Sequence, residues 1–258
     1  MSQLIPGPMN LTLAAFYGDK PESFAALIRW CQAAVSAKLP GAFRPYDVRQ
    51  VHATIVGLEG TQTSGQVHHE HYTACGQDPR PMDLRGLVEM VRSTELLPIR
   101  ARIGGFRRDS GYPFESLGAH PYLRTFAIQP SNLVVAMGWP EAASEFPDSL
   151  DRLRRECVRF GILHKYHRTA ECKDNDLFFV LGKVDPTATD RANCDATSEA
   201  IRLQFSGNQP VHIEVSATNL ALIAYVDNEL PLATSVPISL ESAVSRIKEI
   251  EALYKEAS

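Results

Sequence analysis

The chain carries no excess of positive charge, no paired-cysteine motif and no long apolar run, and each shortage removes a class of function. Lys and Arg number 26 against 30 Asp and Glu, a formal charge of -4 with a pI near 6.1. A protein that coats duplex DNA through its phosphates needs a strongly basic face, so duplex DNA is not an expected partner. The five cysteines, Cys31, Cys75, Cys157, Cys172 and Cys194, are scattered, with no C-x-x-C pair. An odd, dispersed set implies reduced thiols rather than a disulfide framework. The opening MSQLIPGPMN has neither a basic start nor an apolar core. No apolar stretch approaches the roughly 20 residues of a membrane helix. These readings predict a cytoplasmic protein with no membrane partner.

What is present is an ordinary globular composition, 258 residues at 44% hydrophobic and 22% charged. Such a length buries a core without disulfides or metal. No low-complexity linker interrupts residues 1–258, so one domain of two lobes is expected. Apolar spacing predicts helices over Pro21–Lys38, Asp83–Arg92, Ser149–Phe160 and Ala192–Phe205, and an amphipathic C-terminal helix over about 240–254. Strands are predicted at Leu11–Tyr17, Val48–Gly57, Pro98–Phe106, Tyr122–Gln129, Asn132–Trp139, Tyr166–Cys172 and Leu177–Val184, with a strand pair over Pro210–Val226. The polar, turn-rich stretch of about 59–81, with His68, His69 and His71, reads as a long loop.

Two segments share one plan: apolar strand, amphipathic helix, then a strand containing His-x-Thr. The first ends in His52-Ala53-Thr54 and the second in His167-Arg168-Thr169. Residues two apart in a strand face the same side, so each triplet presents an imidazole beside a hydroxyl. Two such units packed about an approximate two-fold axis would line one groove with two of each. Imidazole titrates near neutrality and serves as general base or general acid, while hydroxyls can donate to phosphate oxygens. That set suits phosphodiester cleavage with no metal and no cofactor. A His-x-Ser/Thr triplet alone is a weak signal; His71-Tyr72-Thr73 is a third match in the polar loop, without a preceding strand–helix unit. Arg168 must pair with an acid or reach solvent, because a buried unpaired charge is costly.

With VHATIVGL around His52, YHRTAE around His167 and the late HIEVSATNLALIAYV, the sequence resembles the 2H phosphoesterase superfamily, which includes 2′-5′ RNA ligase-like proteins and cyclic phosphodiesterases. The resemblance implies an α+β, bilobal fold, two antiparallel sheets flanking a central groove with helices outside. It further implies His52 and His167 as acid and base, Thr54 and Thr169 as phosphate ligands, and a cyclic or 2′-5′ phosphodiester of a nucleotide or RNA end as substrate. Alternatives are RNA end-joining by the same site, or a nucleotide- or RNA-binding protein of this fold without turnover.

Several side chains have a second reading. Arg100 and Arg102, in the densest basic stretch with Arg107 and Arg108, are candidate phosphate contacts or a solvated face. Tyr17 and Tyr166 are candidate stacking residues or packing residues. His212 rivals His167 for the second imidazole, but Glu214 stands where the hydroxyl belongs. His68, Glu70 and neighbours are candidate metal ligands, or a solvated flap.

Overall fold

The computed structural model describes residues 9–78 and 80–256. Most of the N-terminal stretch read for a leader lies outside the described residues. The strands are β1 (Asn10–Ala15), β2 (Phe43–Pro45), β3 (Ala53–Gly57), β4 (Gly60–Thr63), β5 (Gln66–His69), β6 (Ile99–Ile103), β7 (Phe126–Ile128), β8 (Leu133–Pro140), β9 (Leu177–Val184), β10 (Val211–Val215), β11 (Leu220–Tyr225), β12 (Val236–Ser239) and β13 (Lys255–Glu256). The helices are α1 (Glu22–Lys38), α2 (Glu70–Ala74), α3 (Leu84–Ser93), α4 (Pro121–Arg124), α5 (Ser149–Glu156), α6 (Arg191–Gly207), α7 (Leu240–Ser245) and α8 (Ile247–Glu251). The fold is mixed α+β, built on a large antiparallel sheet.

That sheet runs β10-β6-β8-β9-β3-β1-β11-β12, with β2 on β9 and β7 on β8. The order is palindromic about β9 and β3: each is flanked by the strand that opens its own strand–helix–strand unit. The two sheets predicted from sequence are therefore joined, and the seam is narrow. β3 and β9 share one paired position, Ala53 with Phe179, and then splay. The splay opens a cleft between the halves.

Alternation along the seam strands separates two faces. Ala53 and Ile55 of β3, with Leu177, Phe179 and Leu181 of β9, enter the main core. α1 covers this face with Phe24, Ile28, Cys31 and Val35, and α5 with Leu150 and Leu153. Each large apolar side chain buried there contributes on the order of 1.5–3 kcal/mol. The opposite face carries Phe178 and Val180 against an aromatic cluster of Phe106, Trp139, Phe114 and Phe146.

The strand expected at Val48–Gly57 begins only at Ala53, after a turn at residues 48–50 that leaves His52 just ahead of it. Four further sequence expectations need correction. Within the expected loop of 59–81, residues 60–74 are regular structure. β4 and β5 form a hairpin whose turn residues, Ser64 and Gly65, both have positive φ, followed by α2. Residues 122–129 divide into α4 and β7, because His120 caps a short helix that opens at Pro121. The C-terminal helix breaks at Arg246 into α7 and α8. The fourth correction concerns the site. Tyr166–Cys172 is no strand: its backbone closes local turns, His167 N–H to His164 O and Cys172 N–H to Thr169 O. Arg168, Thr169 and Ala170 are exposed in succession, so the segment lacks the alternating burial of a strand.

Candidate active-site cleft

A cleft of about 410 Å³ opens where β3 and β9 diverge. Its polar wall presents His52, Thr54, His164, Asp174 and Arg154, and its apolar wall Leu117, Leu133, Phe178 and Val180. Tyr166 and Lys165 stand at its edge, both exposed.

His52 precedes β3 at the mouth of the seam. Its Nδ1 lies 2.7 Å from the Gln50 carbonyl oxygen, an acceptor only, so Nδ1 carries the hydrogen. Nε2 then keeps a free lone pair. Burial lowers the ring's proton affinity below its ordinary value, against the Gln50 hydrogen bond that raises it. The ring is thus neutral near pH 7, with one basic nitrogen. Thr54, two residues on, lines the same wall as the pleat requires. Tyr17 meets the His52 ring edge-on at 5.8 Å and donates its hydroxyl to Leu230 O, outside the cleft lining.

The second imidazole of the cleft is His164, which sequence reasoning missed. Its Nε2 lies 2.7 Å from Asp174 Oδ2, and its Nδ1 is buried with no partner. Burial pulls the ring down to about 4 despite the carboxylate beside it. Asp174 is held at about 2: burial opposes this, but the His164 hydrogen bond and the Arg154 charge outweigh it. The pair is therefore a neutral imidazole donating to a carboxylate.

Arg154 ties β3 to the residues that lead into β9. Its guanidinium donates to Thr54 O and Ile55 O on β3, and to Asp174 O and Asp176 O before β9. It also lies 3.2 Å from Asp174 Oδ1. The side chain is almost wholly buried, and five acceptors satisfy its donors. A signal for it existed: Arg154 is four residues after Leu150, on the apolar stripe of α5, where an arginine must find buried partners.

His167 does not reach the cleft. It is buried against α5, Nε2 2.9 Å from Asp151, which also accepts from Arg155 and from the Asp174 N–H. These bonds pin the 161–176 segment to the helix. Thr169 is exposed, its hydroxyl 3.3 Å from Cys172 Sγ. Arg168 reaches solvent. Arg102 is consumed by Glu141 and the Gly104 and Gly105 carbonyls, while Arg100 is exposed on β6; neither lines the cleft. His212 pairs with Glu141 on the far strand β10. Of the residues singled out from sequence, His52, Thr54 and Tyr166 line the cleft, Tyr17 packs on His52 outside it, and His167, Thr169, Arg100 and Arg102 are elsewhere.

Register shows what replaced the second triplet. Ala53 pairs with Ala15 and Thr54 with Ala14 on β1, and a bulge follows before Val56 pairs with Leu13; Phe179 pairs with Ala136 and Val180 with Val135 on β8, and a bulge follows before Gly182 pairs with Val134. Phe178-Phe179-Val180 therefore occupies the place related to His52-Ala53-Thr54, with Phe178 for the imidazole and Val180 for the hydroxyl. Asp176 accepts from Trp139 Nε1 at 2.6 Å, Ser116 Oγ at 2.7 Å and Arg124 at 3.0 Å. Its oxygens are fully engaged.

No protein-family model matches this sequence, and no curated protein matches it. Among solved structures, the crystal structure of TT0787 of Thermus thermophilus is similar over 89% of this chain and 93% of that one, at 18% identity and a TM-score of 0.40. Among the described residues, no group of three or more His, Cys, Asp and Glu side chains is placed to hold a metal ion, and all five cysteines are free. No helix among them is long and apolar enough to cross a membrane.

Proposed function

We propose that the cleft hydrolyses a phosphodiester of a nucleotide or RNA end, cyclic or 2′-5′ linked, by acid–base catalysis between His52 and the His164–Asp174 pair. The observation that carries this reading is that the free Nε2 of His52, the Thr54 side chain and a carboxylate-held imidazole line one cleft. The bilobal two-histidine arrangement belongs to this proposal, with His164 in the role the sequence assigned to His167.

His52 Nε2 takes a proton from the attacking water as its oxygen bonds to phosphorus. The bound phosphodiester's negative charge raises the proton affinity of both rings. With Nε2–H committed to Asp174, Nδ1 of His164 must be uncovered and take a proton from solvent as the phosphodiester binds; it then gives that proton to the leaving ester oxygen as the P–O bond breaks. Thr54 donates to a non-bridging oxygen, where charge builds in the transition state. Lys165 makes no ion pair among the described residues and adds positive charge at the rim. Phosphorus-31 NMR of protein with nucleoside 2′,3′-cyclic phosphates in EDTA tests the reading. It expects conversion to a monophosphate, lost in His52→Ala. Activity that vanishes in EDTA, or survives unchanged in His52→Ala, contradicts it.

A second reading, nucleotide binding without turnover, is favoured by one observation: Phe178-Phe179-Val180 stands where a second His-x-Thr belongs. Calorimetric affinity for a nucleoside monophosphate, with no product after long incubation, supports that reading.

A further inference from the structure

From the unequal walls of the cleft we infer that Phe178, with Leu133 and Val180, forms the seat for the base of a nucleoside, leaving the phosphate to the His52 wall. This rests on the reading of the cleft as a phosphate-ester site and adds the substrate's orientation within it.

Three observations support the inference. Phe178 takes the place related to His52 and Val180 that related to Thr54, so the cleft presents an imidazole and a hydroxyl on one side and apolar side chains, one of them aromatic, on the other. An anion placed against Phe178, Leu133, Val180 and Leu117 would lose hydration without gaining a donor, which excludes the phosphate from that wall. Phe178 is half-buried and packs on the cluster of Phe106, Val135, Met137 and Trp139, so little side-chain freedom is lost when a ring stacks on it.

The rim identifies the class of planar group. Gln129 lines the cleft beside Leu133, and its side-chain amide both donates and accepts. An acyl chain has no use for that edge, whereas a nucleobase offers complementary groups around its ring. Two cations of the cleft are already neutralised, Arg124 by Asp176 and Lys183 by Glu229. The wall therefore favours a neutral planar ring over a second phosphate.

The test separates base from phosphate and needs no turnover. Calorimetry compares a nucleoside 2′-monophosphate with ribose 2-phosphate, its base-free counterpart, on the full chain. Stacking on one aromatic side chain predicts that the nucleotide binds about tenfold or more tightly than the sugar phosphate. Phe178→Ala should remove most of that ratio and leave the sugar phosphate affinity unchanged. Phe178→Leu keeps the wall apolar without the ring, and should lose the same advantage even if the alanine variant folds poorly. Equal binding of the two ligands by wild type overturns the inference, as does an equal loss for both in Phe178→Leu. If the nucleotide preference holds but no ester is hydrolysed, the proposed reaction fails and the seat for the base stands.

Discussion

β3 and β9 enter the cleft at equivalent positions of one palindromic sheet, yet only the first brings a reactive group. Before β3, a backbone carbonyl takes one nitrogen of His52 and leaves the other free. On β9 the related places hold Phe178 and Val180, which have no group to titrate or to donate. Backbone symmetry places a side chain; its chemistry decides whether it can act. The second half supplies its imidazole from the loop, ten residues earlier in the chain than its carboxylate, as His164 on Asp174.

The comparison can be broken at several points. His52→Ala should lower kcat/KM by about 10²–10⁴-fold, the usual contribution of a positioned general base, with unchanged circular dichroism. Arg154→Met removes the tie between β3 and the residues that lead into β9, and it strands Asp174 without its cation. Loss of one partner of a buried pair costs about 3–5 kcal/mol, measurable by urea unfolding. Asp176→His places an imidazole just before β9, two residues ahead of the position that corresponds to His52. It should not raise activity, and it should cost about 1–3 kcal/mol because the Trp139, Ser116 and Arg124 donors lose their acceptor.

A graded effect comes from pH. His164 binds its proton near 4 in the folded protein, against an ordinary value of 6.5, so between these values the unfolded chain binds more protons. Stability should be full above pH 6.5 and decline as pH falls toward 4. In His164→Gln this part of the acid limb should flatten in thermal scans, and an unchanged limb would contradict a buried neutral ring. The smallest effect belongs to Thr169→Ala, an exposed site outside the cleft. It should stay within about 0.5 kcal/mol in stability, with hydrolysis unaltered.

Most of the sheet was legible because its strands alternate or run apolar between clear turns: residues 177–184 match β9 end for end. The first half-site was legible for the same reason, since β-branched neighbours mark β3, which carries Thr54 and starts one residue after His52. The second was not. Tyr166-His167-Arg168-Thr169 copies the spacing of a strand triplet, but spacing does not supply a ladder partner, and the segment satisfies its backbone through local turns. His164 lies in Ile162-Leu163-His164, with only its distant partner Asp174 to mark it. Pairings across ten or more residues, such as His164 with Asp174 or Arg154 with the β3 carbonyls, are set by tertiary packing and leave no periodicity to read. The hairpin at residues 60–69 was missed because polar Thr and Gln strands resemble a loop by composition, although Ser64-Gly65 marks the turn.

The central claim is that the cleft's second working imidazole is His164, while His167 holds the loop in place. Comparing His164→Gln with His167→Gln for cyclic phosphate hydrolysis tests it most directly. In both variants an amide N–H stands in for the Nε2–H that each ring gives its aspartate, and only the titratable nitrogen is lost. The account predicts a loss of about 100-fold or more in kcat/KM for His164→Gln and a change within about threefold for His167→Gln. The reverse pattern, or two equally active variants, would contradict it.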